Sequence, residues 1–130
     1  MRRRIIGLIL VVSLGLLSAP PPSAGQQARR PARIGVLHTG FFQIIPVVEG
    51  LKAGLKAAGL EEARNVTLDI RFTRGDLQAA GPAAVALANA GMDLIVVDGE
   101  EATRAAKAAT KTIPIVFTQV GDPVAAGIVK

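Results

Sequence analysis

The feature that most restricts this chain is an alternation of two periodicities after residue 32, short apolar runs of strand character separated by longer stretches with apolar residues every three to four positions. Residues 33–37 are β-branched and apolar and run into His38, Thr39 and Gly40, as a buried strand feeding a loop does. Val47, Leu51, Leu55 and Ala58 then repeat at helical spacing. With Pro46 suited to a first turn and Gly59 as a stop, they predict a helix over 46–58. Residues 66–72 alternate apolar and polar, which fits a strand at the sheet edge with one wetter face.

Leu77, Ala80, Ala84, Leu87 and Ala88 return to helical spacing within 77–90, most strongly from Gly81 or Pro82, because proline belongs to a first turn. Residues 93–98 form an apolar run bounded by Asp93 and Asp98, the pattern of a strand covered on both faces. A third helix is expected over 100–111, with Ala102, Ala105, Ala106 and Ala109 as a slim apolar face. A fourth strand follows over 113–118, and Gly121, Asp122 and Pro123 turn toward a further helix. Helices of about a dozen residues between strands require right-handed crossovers and a parallel sheet. The expected fold is α/β, a doubly wound parallel sheet of order 2-1-3-4. Ligands of such sheets sit where the winding reverses, here beside the loops 38–42, 98–101 and 118–122.

Charge and composition remove several functions. The formal net charge is +5, but six of the fifteen basic residues are Arg2, Arg3, Arg4, Arg29, Arg30 and Arg33, and no acid precedes Glu49. From Ile34 onward 9 basic residues face 10 acidic ones, so the basicity belongs to the first 33 residues. With four Phe, no Trp and no Tyr there is also no stacking platform for bases, and no nucleic-acid partner is expected. The absence of cysteine excludes disulfides, thiolate metal sites and thiol nucleophiles, and no cofactor or metal is expected.

The first 25 residues read as a secretory signal peptide. Arg2 to Arg4 are followed by an apolar run over 5–17 and a small, proline-rich segment, with cleavage expected after Ala24 or Gly25. The apolar run is shorter than the roughly 20 residues a membrane span wants; an uncleaved anchor is the alternative. Residues 26–32 read as a polar linker, and the folded part as 33–130.

Arg33-Ile34-Gly35-Val36-Leu37, Gly50, Leu51, Gly54, Leu55 and Gly59, Asn65-Val66-Thr67-Leu68, Gly75-Asp76, Asp93-Leu94-Ile95-Val96, and Thr112-Ile113-Pro114-Ile115-Val116-Phe117 through Gly121-Asp122-Pro123-Val124 together resemble one family. It is the ABC transporter substrate-binding family with a type I periplasmic-binding-protein fold, whose better-known members take aromatic amino acids. The resemblance implies a two-lobed protein that closes on a small, amino acid-like solute outside the inner membrane and delivers it to ABC permease and ATPase subunits. It implies periplasmic or other extracytoplasmic localisation, with the membrane met only through the export signal and the permease. Since residue 130 falls where a further crossover helix is expected, the second lobe is expected to be missing, as in a truncated form. Carried over by position, the ligand-facing candidates are Thr39, Gly40 and Phe41 after the first strand, Gly99 and Glu100 after the third, and Thr118, Gly121 and Asp122 after the fourth. Two loops depart from the family's habit: His38-Thr39-Gly40-Phe41-Phe42, and Gly99-Glu100-Glu101-Ala102 in place of a Gly-Thr-Pro-Ala pattern. The two glutamates favour a cationic or zwitterionic ligand with its amine directed there, and Phe41 or Phe42 offers a stacking surface.

Plainer roles compete. Glu100 and Glu101 suit the first turn of a helix, with Glu100 in reach of Arg104. His38 reads as polar surface, with no acid beside it in sequence. Gly75 and Asp76 read as turn and helix cap, and Asp122 as a cap before Pro123. The functional alternative is an exported α/β hydrolase using Asp98 or Asp122, which lacks a Gly-x-Ser-x-Gly elbow or a nucleophile–base pair in the sequence. A receiver-like signalling domain shares the strand order but not the export signal.

Overall fold

A computed structural model describes residues 30–41 and 45–130. The expected signal peptide, most of the linker and Phe42 lie outside the described residues. The elements are β1 (Ala32–His38), α1 (Ile45–Ala57), β2 (Val66–Phe72), α2 (Ala80–Asn89), β3 (Leu94–Asp98), α3 (Glu100–Ala109) and β4 (Ile115–Thr118). The strands form one sheet of order β2-β1-β3-β4, parallel at every pairing, as the alternation predicted.

The pleat of the strands divides the core in two. Leu37, Ile95 and Val97 face α2 and α3, where they meet Leu87, Ala102 and Ala106, all fully buried. Ile34, Val36, Val66 and Val96 face the other way, against Leu51 and Leu55 of α1. The helices on the first face lie close because their contact residues are small and because β1 has Gly35 there. A Cβ at that position would stand 3.1 Å from Leu87 Cδ2 and 3.2 Å from Met92 Cγ.

Several boundaries differ from expectation for local reasons. Ala32, expected in the linker, already pairs with Val66 in β1, and Arg30 just before it is tied by two hydrogen bonds to Asp93. The Asp76 carboxylate accepts from the Gln78 and Ala79 amides, so residues 76–79 form a capped turn and α2 starts at Ala80. Thr110 Oγ1 accepts from the Thr112 and Ile113 amides, which ends α3 early and delays β4 to Ile115. The helix expected after Pro123 is a single turn. Asp122 Oδ1 caps the Val124 and Ala125 amides, Gly127 adopts φ 66°, and the Ile128 and Val129 amides both fold back on the Pro123 carbonyl. Lys107 Nζ then donates to the carbonyls of Gly127 and Ile128, fastening that turn to α3.

Candidate functional site at the carboxyl rim of the sheet

Register decides what this rim contains. Phe72, His38, Asp98 and Thr118 are aligned across the four strands, so every crossover leaves the sheet at the same edge. The loops are then stitched together. Gly99 N–H donates to the Thr118 carbonyl at 3.0 Å, Thr73 N–H to the His38 carbonyl at 3.1 Å, and Gly75 N–H to the Thr39 carbonyl at 2.9 Å. Thr39 Oγ1 lies 3.9 Å from where a Cβ on Gly99 would stand. Thr39, Gly99 and Thr118 are therefore neighbours on one rim. The loop after β2, which the sequence reading left out of the site, belongs to it as well.

Behind the rim is a polar row that no local pattern announces. Thr118 Oγ1 donates to Asp98 Oδ1 at 2.6 Å, and Asp98 Oδ2 lies 3.0 Å from His38 Nδ1. The Asp98 and His38 side chains are only 5% and 12% exposed, so neither is free to leave this arrangement for water. His38 is thus the last residue of a strand beside an acid, and the expectation of a surface loop histidine with no acid near it is corrected. Sixty residues of chain separate the pair, and only the β1–β3 register joins them. The Nδ1–Oδ2 approach is short, but it falls short of a well-aligned hydrogen bond and leaves Nδ1 without a fully satisfied partner. On the other side of the ring, Gly40 N–H donates to Nε2 at 3.0 Å. A Cβ at position 40 would overlap the imidazole as it stands, so a side chain there would displace the ring.

The remaining expected residues divide in two. Gly99 takes φ 92° and stands as the N-cap of α3 without a side-chain cap. The first amides of α3 therefore point out of the helix with no intrahelical acceptor. Glu100 pairs with Arg104 at 2.8 Å and Glu101 is exposed in the same first turn. The Asp122 carboxylate is taken up by the two amides it caps, and Gly121 is surrounded by open space. The structure ties neither of them to Thr39 or Gly99. Phe41 is 79% exposed, with its ring laid over Gly75 so closely that a Cβ there would overlap it.

Two hollows among the described residues lie elsewhere. One of about 260 Å³ sits between α1 and β2, over Leu55, Leu60, Val66 and Leu68, and another of about 280 Å³ lies between α3 and the 126–128 turn. Neither is reached by two strand-end loops, whereas ligands of doubly wound parallel sheets bind beside such loops, so the candidate site is taken from their convergence. Charges at the opposite edge are spent on structure: the hydrogen bonds from Arg30 and from the Arg33 amide hold Asp93 below the usual carboxylate range. Among the described residues no three His, Cys, Asp or Glu gather to hold a metal ion, and no helix is long and apolar enough to cross a membrane.

A parallel, doubly wound sheet with its loops gathered on one rim is the α/β architecture of the periplasmic binding proteins it resembles among solved structures. The chain belongs to the ABC transporter substrate binding protein family, whose model matches residues 36–130. It is 33% identical over 97 residues to a tyrosine-binding protein of Clostridioides difficile, an alignment covering 70% of this chain and 28% of that protein. Among solved structures it is similar to a conserved domain protein from Vibrio cholerae (35% identity, TM-score 0.70, 77% of this chain and 34% of the other). It is also similar to a substrate binding protein with adhesive properties from Clostridium difficile, solved in a ligand-free, open form (31%, 0.69, 76% and 34%). A third is an ABC domain from Streptococcus pneumonia in complex with L-Trp (26%, 0.68, 75% and 33%). The chain thus spans about a third of the length of these structures.

Proposed function

We propose that this chain supplies ligand-binding loops to the solute-binding component of an ABC importer, which captures a small amino acid-like solute outside the cytoplasm and presents it to a permease and its ATPase. The observation that carries the proposal is the meeting of Thr39, Gly99 and Thr118 on one rim. The tyrosine-binding relative and the L-Trp complex supply the ligand class. Thr39 offers a hydroxyl, Thr118 the acceptor side of one whose proton goes to Asp98, and the first turn of α3 free amides beside the exposed Glu101, a combination that suits a zwitterion. Phe41 offers an exposed ring for the solute's apolar part. Gly121 and Asp122 are assigned to the β4 side of the rim by their place in the loop after Thr118, with the Asp122 carboxylate engaged as a cap.

The role is binding without chemistry. In a hydrolytic triad the imidazole stands between hydroxyl and acid, whereas here the acid stands between. The Thr118 hydroxyl proton goes to Asp98, and His38 Nε2 is occupied by the Gly40 amide. Export by the signal peptide read in residues 1–25, extracytoplasmic localisation and the permease partnership are parts of the same proposal.

Titrating the ¹⁵N-labelled chain with L-tyrosine, L-tryptophan, L-aspartate and glucose tests it. Shifts are expected with an aromatic amino acid, at residues 39–41, 99–101 and 118–122, with an affinity near millimolar because one wall of the cleft contributes a fraction of the full contact. Flat spectra with all four solutes, or shifts confined to the hollow beside Leu55 and Leu60, would overturn the proposal.

A further inference from the structure

The Gly40 amide offers a hydrogen and nothing else, so the nitrogen it meets at 3.0 Å must carry a lone pair. That places the imidazole proton on Nδ1, where it faces Asp98 Oδ2 at 3.0 Å, and Asp98 is itself held by the Thr118 hydroxyl at 2.6 Å. Each member bears on the next: β4 orients the acid, the acid's charge beside Nδ1 favours a proton on that nitrogen, and the tautomer supplies an acceptor for the loop. The ring is further boxed by Phe72, edge-on with centroids 6.2 Å apart, and by the absence of a side chain at residue 40.

We infer that His38 is a positioning residue for the first ligand-facing loop. Held as the Nδ1–H tautomer, with Asp98 Oδ2 3.0 Å from that nitrogen, it occupies the Gly40 amide, so that the loop presents the Thr39 hydroxyl rather than a backbone N–H to a solute. A ligand carboxylate finds no donor at residue 40. The Gly99 amide is likewise committed, to the Thr118 carbonyl, and the Thr118 hydroxyl to Asp98, so the free donors of this rim are the Thr39 hydroxyl and the first amides of α3. The inference rests on the proposed function only in calling the loop ligand-facing; the tautomer and the latch are readable with no ligand present, so the two fail separately.

The sequence contains one histidine, so long-range ¹H–¹⁵N correlation on the full labelled chain reads a single imidazole. The expected result is a pyrrole-type Nδ1 and a pyridine-type Nε2. Two substitutions then separate the two ends of the ring. His38→Gln keeps an acceptor near the Nε2 position, and His38→Asn keeps a donor near the Nδ1 position. Hydrogen exchange at the Gly40 amide is expected to stay close to the parent rate in H38Q and to rise on the order of tenfold in H38N, the worth of one hydrogen bond. An Nε2–H tautomer in the parent chain overturns the inference even if neither variant folds. Equal exchange at Gly40 in the two variants, whether fast or slow, overturns it too.

Discussion

The two faces of this sheet are covered unequally, and in opposite directions. On one face α2 and α3 cover β1, β3 and β4, and their reach stops before β2, which presents the Asp69–Arg71 pair there. On the other face α1 covers β2, β1 and part of β3, and its reach stops before β4, where Val116 is 48% exposed. The bare part of β2 is finished for water by charges, which also blunt an edge strand against unwanted pairing. The bare part of β4 carries no charge at all in its Ile-Val-Phe-Thr sequence. Helix placement alone thus does not decide whether an edge is solvent-adapted; the residues between the contact positions do.

The largest effect that tests this contrast is at the centre of the closed face. Leu87→Ala removes a fully buried side chain from among Leu37, Ile95 and Val97, and is expected to cost about 2–5 kcal/mol in denaturant unfolding. A loss under 1 kcal/mol would show that this face is loosely packed. Gly35→Val is next: it drives a branched side chain into Leu87 and Met92 from the strand side, with an expected loss of about 1–3 kcal/mol from overpacking.

At the charged edge the effect is smaller and depends on pH. Hydrogen bonding to Arg71 holds the Asp69 carboxyl below the usual carboxylate range. A carboxyl depressed in the folded state contributes stability above its unfolded value, about 3.9, and that contribution is lost as pH falls through the lower folded value. Since both side chains are partly exposed, Asp69→Asn is expected to cost no more than about 1 kcal/mol at neutral pH, with a difference from the parent that vanishes in acid unfolding curves. A difference independent of pH would mean that packing, not charge, finishes that edge. The smallest effect is expected at Val116→Thr, within about 0.5 kcal/mol, as for an exposed site. A loss above 1.5 kcal/mol in thermal unfolding would show that something covers this face in solution.

Most of the fold was legible because it is written in local periods. Val47, Leu51 and Leu55 could form only a helix stripe, and 93–98 only a short buried strand, so element types, parallel pairing and strand order follow with little tertiary information. The misread boundaries of α2, α3 and β4 have one cause, side-chain oxygens competing with the backbone: Asp76 and Thr110 divert amides that propensity alone would assign to a helix or strand, whereas Ala32 joins β1 through its pairing with Val66. The rim was legible as a set of loops, since topology sends every crossover out at one edge. Its polar row was not. His38 has no acid within ten residues, and its neighbour Asp98 comes from register, a property of two strands rather than of either.

The sequence by itself determined which segments are strands and helices and that they wind as a parallel sheet, because hydrophobic period and crossover length are set residue by residue along the chain. Tertiary structure alone decided that Thr118, Asp98, His38 and Gly40 form one chain of contacts and that Phe41 lies on Gly75. Hydrogen bonds of that kind act over about 3 Å. No sequence distance reports such a separation until the backbone pairing has fixed which residues stand side by side.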